Sequence, residues 1–347
     1  MKSSHVDTWM LAMVALALAV AAPAQTTYRL EQIGPNPTPS GFYYAEDMND
    51  HGDVVGGVYG SFTGWLWKDG KLTPIPALPT STDGRSSAAG INNRTQVVGS
   101  SAGRPYLWYR GHLRDTGAFP GATAAATDIN TLGVILGSVS GVSGLISQPF
   151  LQIGSFTQRL DALPGDTLAL GFRINELGSV CGNSGTLTTQ RAVIWEWGRI
   201  RDLGLLPGAY DSYAHAINNR NEVAGQMRVN GGLESVAVVW SDGRIHELPQ
   251  FFTGPFSQSY ASGINDRGQA VGGNSDRSGN FIAALWQNGM LYDLHDLIRA
   301  DDPLRPFVTL GPPIVINNRG QILVTGKDSR IGPFGQIPYR LVPSGHL

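Results

Sequence analysis

One short pattern, an apolar stretch followed by Asn and a tight turn, recurs along the whole chain and limits the folds open to it. Clear copies are Ala88-Ala-Gly-Ile-Asn92 and Ala261-Ser-Gly-Ile-Asn265. The gaps between equivalent asparagines are 43, 38, 45, 43, 47 and 52 residues, for Asn49, Asn92, Asn130, Asn175, Asn218, Asn265 and Asn317. A repeat period in the forties is typical of β-propeller blades.

Each unit contains four strand-like pieces in a fixed order, which we label a to d. Strand a ends at the repeated Asn, and strand b is a Val-rich segment closed by Gly, as in Val97-Val-Gly99. Strand c ends in Trp before a Gly-bearing turn, as in Trp240-Ser-Asp-Gly243, and strand d follows as Ile245-His-Glu-Leu248. Asp-Gly favours a two-residue hairpin turn, because both central residues need positive φ. The pattern therefore predicts four-stranded antiparallel blades.

The two ends of the chain complement each other. The seventh unit stops before its strand d, and the fragment Tyr28-Arg-Leu-Glu-Gln-Ile33 precedes the first strand a and reads like a strand d. Pairing this fragment with the last unit would close a ring and remove the open sheet junction. We predict one all-β domain over residues 25–347, a seven-bladed β-propeller in which residues 28–33 complete the blade formed by residues 313–342. An open solenoid or a sandwich is the alternative.

The repeated pieces Ile-Asn-x-x-Gly-x-Val-Val-Gly, Leu-Trp-x-x-Gly and Asp-Leu-Gly-x-Leu-Pro-Gly resemble bacterial exported proteins that carry HAF repeats. The best matches are the segments 201–208 and 114–121, and the similarity covers nearly all of residues 25–347. The resemblance implies export and a repeat scaffold, but no particular activity. Two units depart from the pattern, with Gln152 and Leu341 where Trp is expected.

The N-terminus has the features of a secretory signal peptide over residues 1–24. Lys2 is followed by an apolar run from Leu11 to Ala22 and by the small-residue triplet that ends at Ala24. The apolar run is shorter than the roughly 20 residues of a membrane-spanning helix. We expect cleavage after Ala24, a secreted or periplasmic protein, and no stable membrane insertion; an uncleaved anchor is the alternative.

Composition argues against several classes of function. The net charge is −2 and no Lys or Arg run is present, so we expect no nucleic-acid partner. Cys181 is the only cysteine, which excludes an internal disulfide, and its alignment with the second Val of Val-Val-Gly predicts a core side chain. No His-x-x-x-His pair, Gly-x-Ser-x-Gly elbow or phosphate loop occurs. We predict no metal, no cofactor and no catalytic residue.

Residues that recur once per blade are predicted to be structural. The repeated Asn suits its own turn, because its side chain bonds nearby backbone. The repeated Trp suits packing between blades. The acids on strand d are spread around the ring, which favours turn or inter-blade hydrogen bonding over catalysis: Asp115, Asp161, Asp202, Glu247 and Asp293.

Irregular residues are the candidates for binding. The loops between strands b and c and between strand d and the next strand a vary in length and should lie on one face. Aromatic and polar residues in these loops predict a ligand-binding set of Tyr210, Asp211, Tyr213, Phe251, Phe252, Phe256 and Tyr260. The predicted function is noncatalytic binding or scaffolding, with a polysaccharide or protein partner and an open oligomeric state.

Three alternatives to this binding site remain. The aromatic residues could simply pack the loops over the blades, or the ring could stiffen an assembly without a small-molecule site. A secreted glycan hydrolase or lyase is the rival function. Its candidate pairs are Asp211 with His215 and Asp301 with Asp302.

Overall fold

The computed structural model describes residues 26–36, 42–117, 119, 122–142, 144–331 and 336–345. The predicted signal peptide, residues 1–24, lies outside these residues. Across the described ranges, no helix has the length and apolar character needed to cross a membrane.

The described chain forms seven four-stranded antiparallel sheets, and the first three blades follow directly in sequence. Blade 1 is β2 (Phe42–Met48), β3 (Val54–Tyr59), β4 (Gly64–Lys68) and β5 (Lys71–Ile75). Blade 2 is β6 (Ser87–Ile91), β7 (Val97–Ser101), β8 (Arg104–Tyr109) and β9 (His112–Asp115). Blade 3 is β10 (Ala124–Ile129), β11 (Ile135–Val142), β12 (Leu145–Ile153) and β13 (Phe156–Arg159).

The next three blades repeat this order. Blade 4 is β14 (Leu168–Ile174), β15 (Val180–Gly185), β16 (Gln190–Glu196) and β17 (Arg199–Asp202). Blade 5 is β18 (Ala209–Ile217), β19 (Val223–Val229), β20 (Glu234–Ser241) and β21 (Arg244–Glu247), with a short 3₁₀ turn at Asn230–Gly232. Blade 6 is β22 (Ser259–Ile264), β23 (Ala270–Ser275), β24 (Phe281–Gln287) and β25 (Met290–Asp293).

Blade 7 joins the two ends of the chain and closes the ring. It contains β26 (Val308–Ile316), β27 (Ile322–Asp328), β28 (Gln336–Ser344) and the N-terminal β1 (Thr27–Gln32), in the order β1-β28-β27-β26. Leu30 pairs with Leu341 and Gln32 with Tyr339. The predicted closed, seven-bladed propeller is confirmed; the last blade begins at Val308, earlier than residue 313.

The outer edge of β1 is held by the long link that precedes blade 7. Tyr28 N donates to Leu297 O at 2.8 Å, and Arg299 N donates to Tyr28 O at 2.9 Å. Leu30 N donates to the buried carboxylate of Asp302 at 2.8 Å. The closing strand is therefore bonded along both edges, which leaves little open sheet edge at this junction.

The repeated Trp residues pack between neighbouring blades, as predicted. Three of the five indole N–H groups donate to carbonyls in the exit loop of the preceding blade, Trp195 to Asp161 O and Trp286 to Pro249 O at 2.8 Å, and Trp240 to Gly204 O at 3.4 Å. In blade 3 the Gln152 amide donates to Thr116 O in the same way. Trp67 in blade 1 is only half-buried. Leu341 is fully buried in the core of blade 7.

The seven repeated asparagines form a closed ring of hydrogen bonds. Each Oδ1 accepts backbone N–H groups of its own turn; Asn265 Oδ1, for example, accepts from Arg267 N at 3.0 Å and Gln269 N at 3.1 Å. Each Nδ2 donates to the carbonyl oxygen of the Asn in the next blade at 2.9–3.1 Å, and Asn317 closes the circle onto Asn49. The predicted turn role is confirmed, and the structure adds a link between blades.

Turn chemistry explains other repeated residues. At the β20–β21 hairpin, Asp242 and Gly243 both have positive φ, 50° and 70°. Three of the strand-d acids accept the backbone N–H two residues further on, at 2.8–3.0 Å, namely Asp115, Asp202 and Asp293. The prediction of turn bonding is confirmed for these three.

Each innermost strand contains a β-bulge at one constant position. The pairing of strand a with strand b skips the residue three before the repeated Asn. The Gly of Val-Val-Gly lies beside this bulge, and a Cβ on Gly225 would overlap the carbonyl oxygen of Tyr213. The skipped residues are Glu46, Ala89, Thr127, Phe172, His215, Ser262 and Ile314. A bulge re-aims a side chain out of the ladder.

Candidate functional site

The antiparallel strand order gives the ring two unlike faces and a central channel. The a–b and c–d turns lie on one side, which we call the turn face. The b–c loops and the d–a links lie on the other, which we call the loop face. The inner strands β2, β6, β10, β14, β18, β22 and β26 surround the channel.

Three of the predicted loop-face residues form one cluster around an arginine. Asp211 is fully buried, and Arg228 Nε lies 2.9 and 2.8 Å from its two carboxylate oxygens. Tyr213 OH donates to Asp211 at 3.1 Å. The guanidinium carbon of Arg228 lies 5.0 Å from the Tyr210 ring centre and 5.4 Å from that of Tyr213. Hydrogen bonding to Asp211 raises the pKa of Arg228, so this cation stays charged.

Tyr260 lies apart from that cluster, on inner strand β22. Its ring centre is 6.3 Å from that of His215 and 5.4 Å from that of the exposed Phe281. Burial raises the pKa of Tyr260 to about 12, so its phenol remains protonated. Tyr260 therefore belongs to the channel wall as much as to the loop face.

The three predicted phenylalanines form a third group, in the link between blades 5 and 6. Phe251 and Phe256 are 42% and 68% exposed, whereas Phe252 is half-buried. The link is anchored by Phe251 N, which donates to Asn274 Oδ1 at 3.1 Å. Within the described ranges, these rings make no ring–ring contact with Tyr210 or Tyr213. The structure thus divides the predicted set into three groups.

The carboxylates considered for hydrolysis are held by other groups. Asp211 is paired with Arg228, as above, and Asp302 accepts Leu30 N. Asp301 is exposed and bonds to Arg299 at 2.7 Å, and this hydrogen bond lowers the pKa of Asp301 to about 2. A carboxyl that is ionised at any ordinary pH does not act as a general acid.

A cavity of about 330 Å³ occupies the channel at the level of the bulges; we call it the channel chamber. The skipped residues of six blades line it, together with Gly171 and Arg173, and these six are Glu46, Ala89, Thr127, Phe172, His215 and Ser262. Sequence reasoning missed this site. The available signal was a position three before the repeated Asn that carries a different residue in every blade.

Arg173 is the cation of the channel chamber. Among the described residues it donates one hydrogen bond, from Nη2 to the Glu46 carbonyl at 3.3 Å, and it forms no close ion pair. The Glu46 side chain is open to channel water but surrounded by the blades, and this enclosure raises its pKa. Arg173 and Glu46 both line the channel chamber, and the Glu46 carboxylate has no hydrogen-bond partner among the described residues.

Two further acids line the channel beside Arg173 and brace neighbouring blades. Asp47 accepts the backbone N–H of Ile91 at 3.0 Å, and Asp128 accepts that of Ile174 at 2.9 Å. Burial raises the pKa of Asp47 to about 7 and also raises that of Asp128, although Arg173 opposes both shifts. The Asp47 carboxyl is therefore partly protonated near neutral pH.

His215 contributes an unpaired nitrogen to the channel chamber. Burial lowers its pKa to about 4, so the imidazole is neutral at ordinary pH. Its Nε2 atom is buried and has no hydrogen-bond partner within the part of the chain that is described. The described residues contain no group of three or more His, Cys, Asp or Glu side chains suited to a metal ion. Burial also raises the pKa of Cys181, whose thiol lies in the core as predicted.

No protein-family model matches the sequence, and no curated protein matches it either. Similar solved structures include YCF48 from Cyanidioschyzon merolae, 9% identical with a TM-score of 0.53, covering 90% of this chain and 99% of that one. YCF48 bound to D1 peptide is 12% identical with a TM-score of 0.52, covering 94% and 100%. TolB from Acinetobacter baumannii is 13% identical with a TM-score of 0.44, and the match covers 92% of this chain but only 64% of TolB. The two YCF48 similarities show a shared propeller fold.

Proposed function

We propose that this chain is an exported, noncatalytic binding or scaffolding module of the HAF-repeat type, whose loop face binds a polysaccharide or a protein. The observation that carries the proposal is the concentration of exposed aromatic side chains on that face. They are Tyr59, Phe62, Tyr210, Phe251, Phe256, Phe281 and Phe307. Exposed apolar surface rimmed by polar groups is typical of interaction sites.

Several of these rings are backed by ion-paired arginines, which supports a preformed surface. Arg85 lies 4.5 Å from the Phe62 ring centre, and Arg330 lies 4.8 Å from that of Phe307. The arginines also pair with aspartates, as Arg228 does beside Tyr210. Rings held in place lose little conformational freedom on binding, and their arginines offer polar edges for orientation.

Binding of an extended polymer suits this arrangement better than hydrolysis. The rings are spread over several blades, and the acids first considered for catalysis are already engaged by Arg228, Arg299 and the backbone of Leu30. A propeller with the same fold, YCF48, has been solved bound to D1 peptide. By analogy of fold alone, a polypeptide is one of the two ligand classes to test.

A matched pair of exposed phenylalanines tests the face. Phe256→Ala on the loop face should weaken binding at least tenfold, because an exposed ring is removed from the proposed surface. Phe156→Ala is the control, since Phe156 is 65% exposed on the turn face. Ligands would come from a glycan array and from affinity capture with extracellular material. Equal affinities for both variants, for every ligand found, would remove the loop face from consideration.

A further inference from the structure

The channel chamber is the strongest unassigned feature of the molecule, because it combines the variable bulge residues with polar groups that lack protein partners. Glu46 offers a carboxylate, Arg173 offers several free N–H groups and His215 offers Nε2. A buried polar atom without a partner costs free energy comparable to a lost hydrogen bond. Only the His215 Nε2 atom bears this cost, because Glu46 and Arg173 are open to channel water. A ligand in the chamber would supply a partner for His215 and would replace the water around Glu46 and Arg173 with its own polar groups.

The hydrogen-bonding character of these groups restricts the ligand. An ionised carboxylate only accepts hydrogen bonds, and a guanidinium only donates them. An amine would satisfy Glu46 but would be repelled by the charge of Arg173. An anion would satisfy Arg173 but would meet Glu46, Asp47 and Asp128. A hydroxyl group both donates and accepts, so a neutral ligand with adjacent hydroxyls satisfies both sides.

Size and shape narrow the choice further. About 330 Å³ lies near the lower end of the usual range for small-molecule pockets, roughly 300–1,000 Å³. Phe172 and His215 add flat ring surfaces to the polar groups, and Ala89 leaves room beside them. A single ring-shaped ligand with apolar faces and a hydroxyl-bearing edge matches this lining.

The chamber wall continues toward the loop face. His215 lies beside Tyr260, and Tyr260 lies beside Phe281, which is 42% exposed there. Aromatic surface therefore runs from the chamber to the face on which we place polymer binding.

We infer that the channel chamber binds one neutral sugar ring. The Glu46 carboxylate accepts hydrogen bonds from the sugar hydroxyls, Arg173 donates to them, and His215 Nε2 forms a hydrogen bond with one of them. This inference rests on the proposed function and names its ligand as carbohydrate. The loop face would then bind the polymer, and the chamber would bind a single unit of it.

The test uses a panel of D-glucose, D-galactose, D-mannose, L-fucose and N-acetyl-D-glucosamine, measured by saturation-transfer NMR and calorimetry on the full chain. We expect saturable binding of at least one sugar. Glu46→Gln and His215→Phe should each weaken it at least tenfold. The matched controls are Glu247→Gln and His246→Phe, both exposed on the outer strand β21, and should stay within twofold of wild type. Thermal unfolding of every variant separates loss of the fold from loss of binding.

Three outcomes overturn the inference: no sugar binds, the controls lose as much affinity as the chamber variants, or cadaverine or acetate binds in the chamber with higher affinity than the sugars. Capture of a polymer that depends on Phe256 while no sugar binds would refute the chamber site and leave the loop-face proposal standing. Sugar binding that depends on Glu46, without any effect of Phe256 on polymer capture, would support the chamber and refute the loop face.

Discussion

Two positions on the same inner strands, three residues apart, behave in opposite ways. The later position is Asn in all seven blades, and its side chain bonds both its own turn and the next blade. The earlier position is the bulge residue, which differs in every blade and points out of the ladder. The asparagine side chains link every pair of neighbouring blades. At the bulge position, among the described residues, only Ser262 forms a side-chain hydrogen bond to the next blade, by donating to Pro313 O at 2.7 Å. The constant position and the variable position therefore lie only three residues apart on each inner strand.

The largest effect on the structural ring is expected from removing β1, the strand that closes it. Deletion of residues 26–33 leaves the edge of β28 unpaired, removes Tyr28 and Leu30 from the core of blade 7 and uncovers the rest of that core. We expect loss of cooperative folding, because an exposed sheet edge with adjacent apolar surface promotes aggregation. Size-exclusion chromatography and thermal unfolding measure it. A monodisperse protein with an unchanged melting temperature would show that the blades do not need closure.

A smaller effect compares the two positions directly within blade 3. Asn130→Ala should destabilise the fold by roughly 3 kcal/mol, because it leaves Val134 N–H without its partner and removes the inter-blade bond to the Asn175 carbonyl, which keeps only the bond from Gly178 N. Thr127→Val, at the bulge, should cost less than about 1 kcal/mol, since it removes only a 3.3 Å bond to Leu136 O. Urea unfolding of both variants gives the two values. Equal losses of unfolding free energy would show that the bulge position supports the fold as much as the repeated Asn does.

The smallest effect concerns pH and His215. Its pKa is lowered to about 4 in the folded chain, against about 6.5 when unfolded, so the unfolded chain binds the extra proton and stability falls as pH drops from 6.5 toward 4. Asp47, with its raised pKa, acts in the opposite direction. Replacing only His215 separates the two. The stability advantage of wild type over His215→Phe should shrink by about 2 kcal/mol between pH 8 and pH 5.

Urea unfolding at both pH values measures this difference, with His246→Phe as the control. The control should follow wild type at both pH values. A constant gap between wild type and His215→Phe would mean that the imidazole is hydrated in the channel, despite the blades around it, near Glu46 and Arg173.

The blades, the contacts between them and the closure of the ring could be predicted from the sequence because the residues that build them recur periodically. Spacing of Asn49 to Asn317 predicted seven blades, the Trp positions predicted contacts between blades, and the missing last strand predicted the closure through Leu30. The inter-blade ring of asparagines was not predictable in this way, since it depends on how far each side chain reaches in three dimensions.

The candidate sites were harder to predict for a physical reason. Loop composition grouped Tyr210, Asp211 and Tyr213, whereas the contacts of Arg228 that unite them depend on how the side chains pack in three dimensions. The channel chamber is lined by six bulge residues that are distant in sequence and unlike in chemistry, and only the bulge gives them a common direction. A repeat is recognised by residues of the same type at the same position. The bulge residues share a position but not a residue type, so they do not appear as part of the repeat.

The bulge has an evolutionary and practical consequence. Because the repeated Asn and the facing Gly of strand b fix the backbone around it, single substitutions at the six bulge residues that line the channel chamber can change the surface of one cavity without rebuilding any blade. The scaffold thus resembles a combinatorial library arranged around an axis, in which new specificities are reached by changing side chains one at a time.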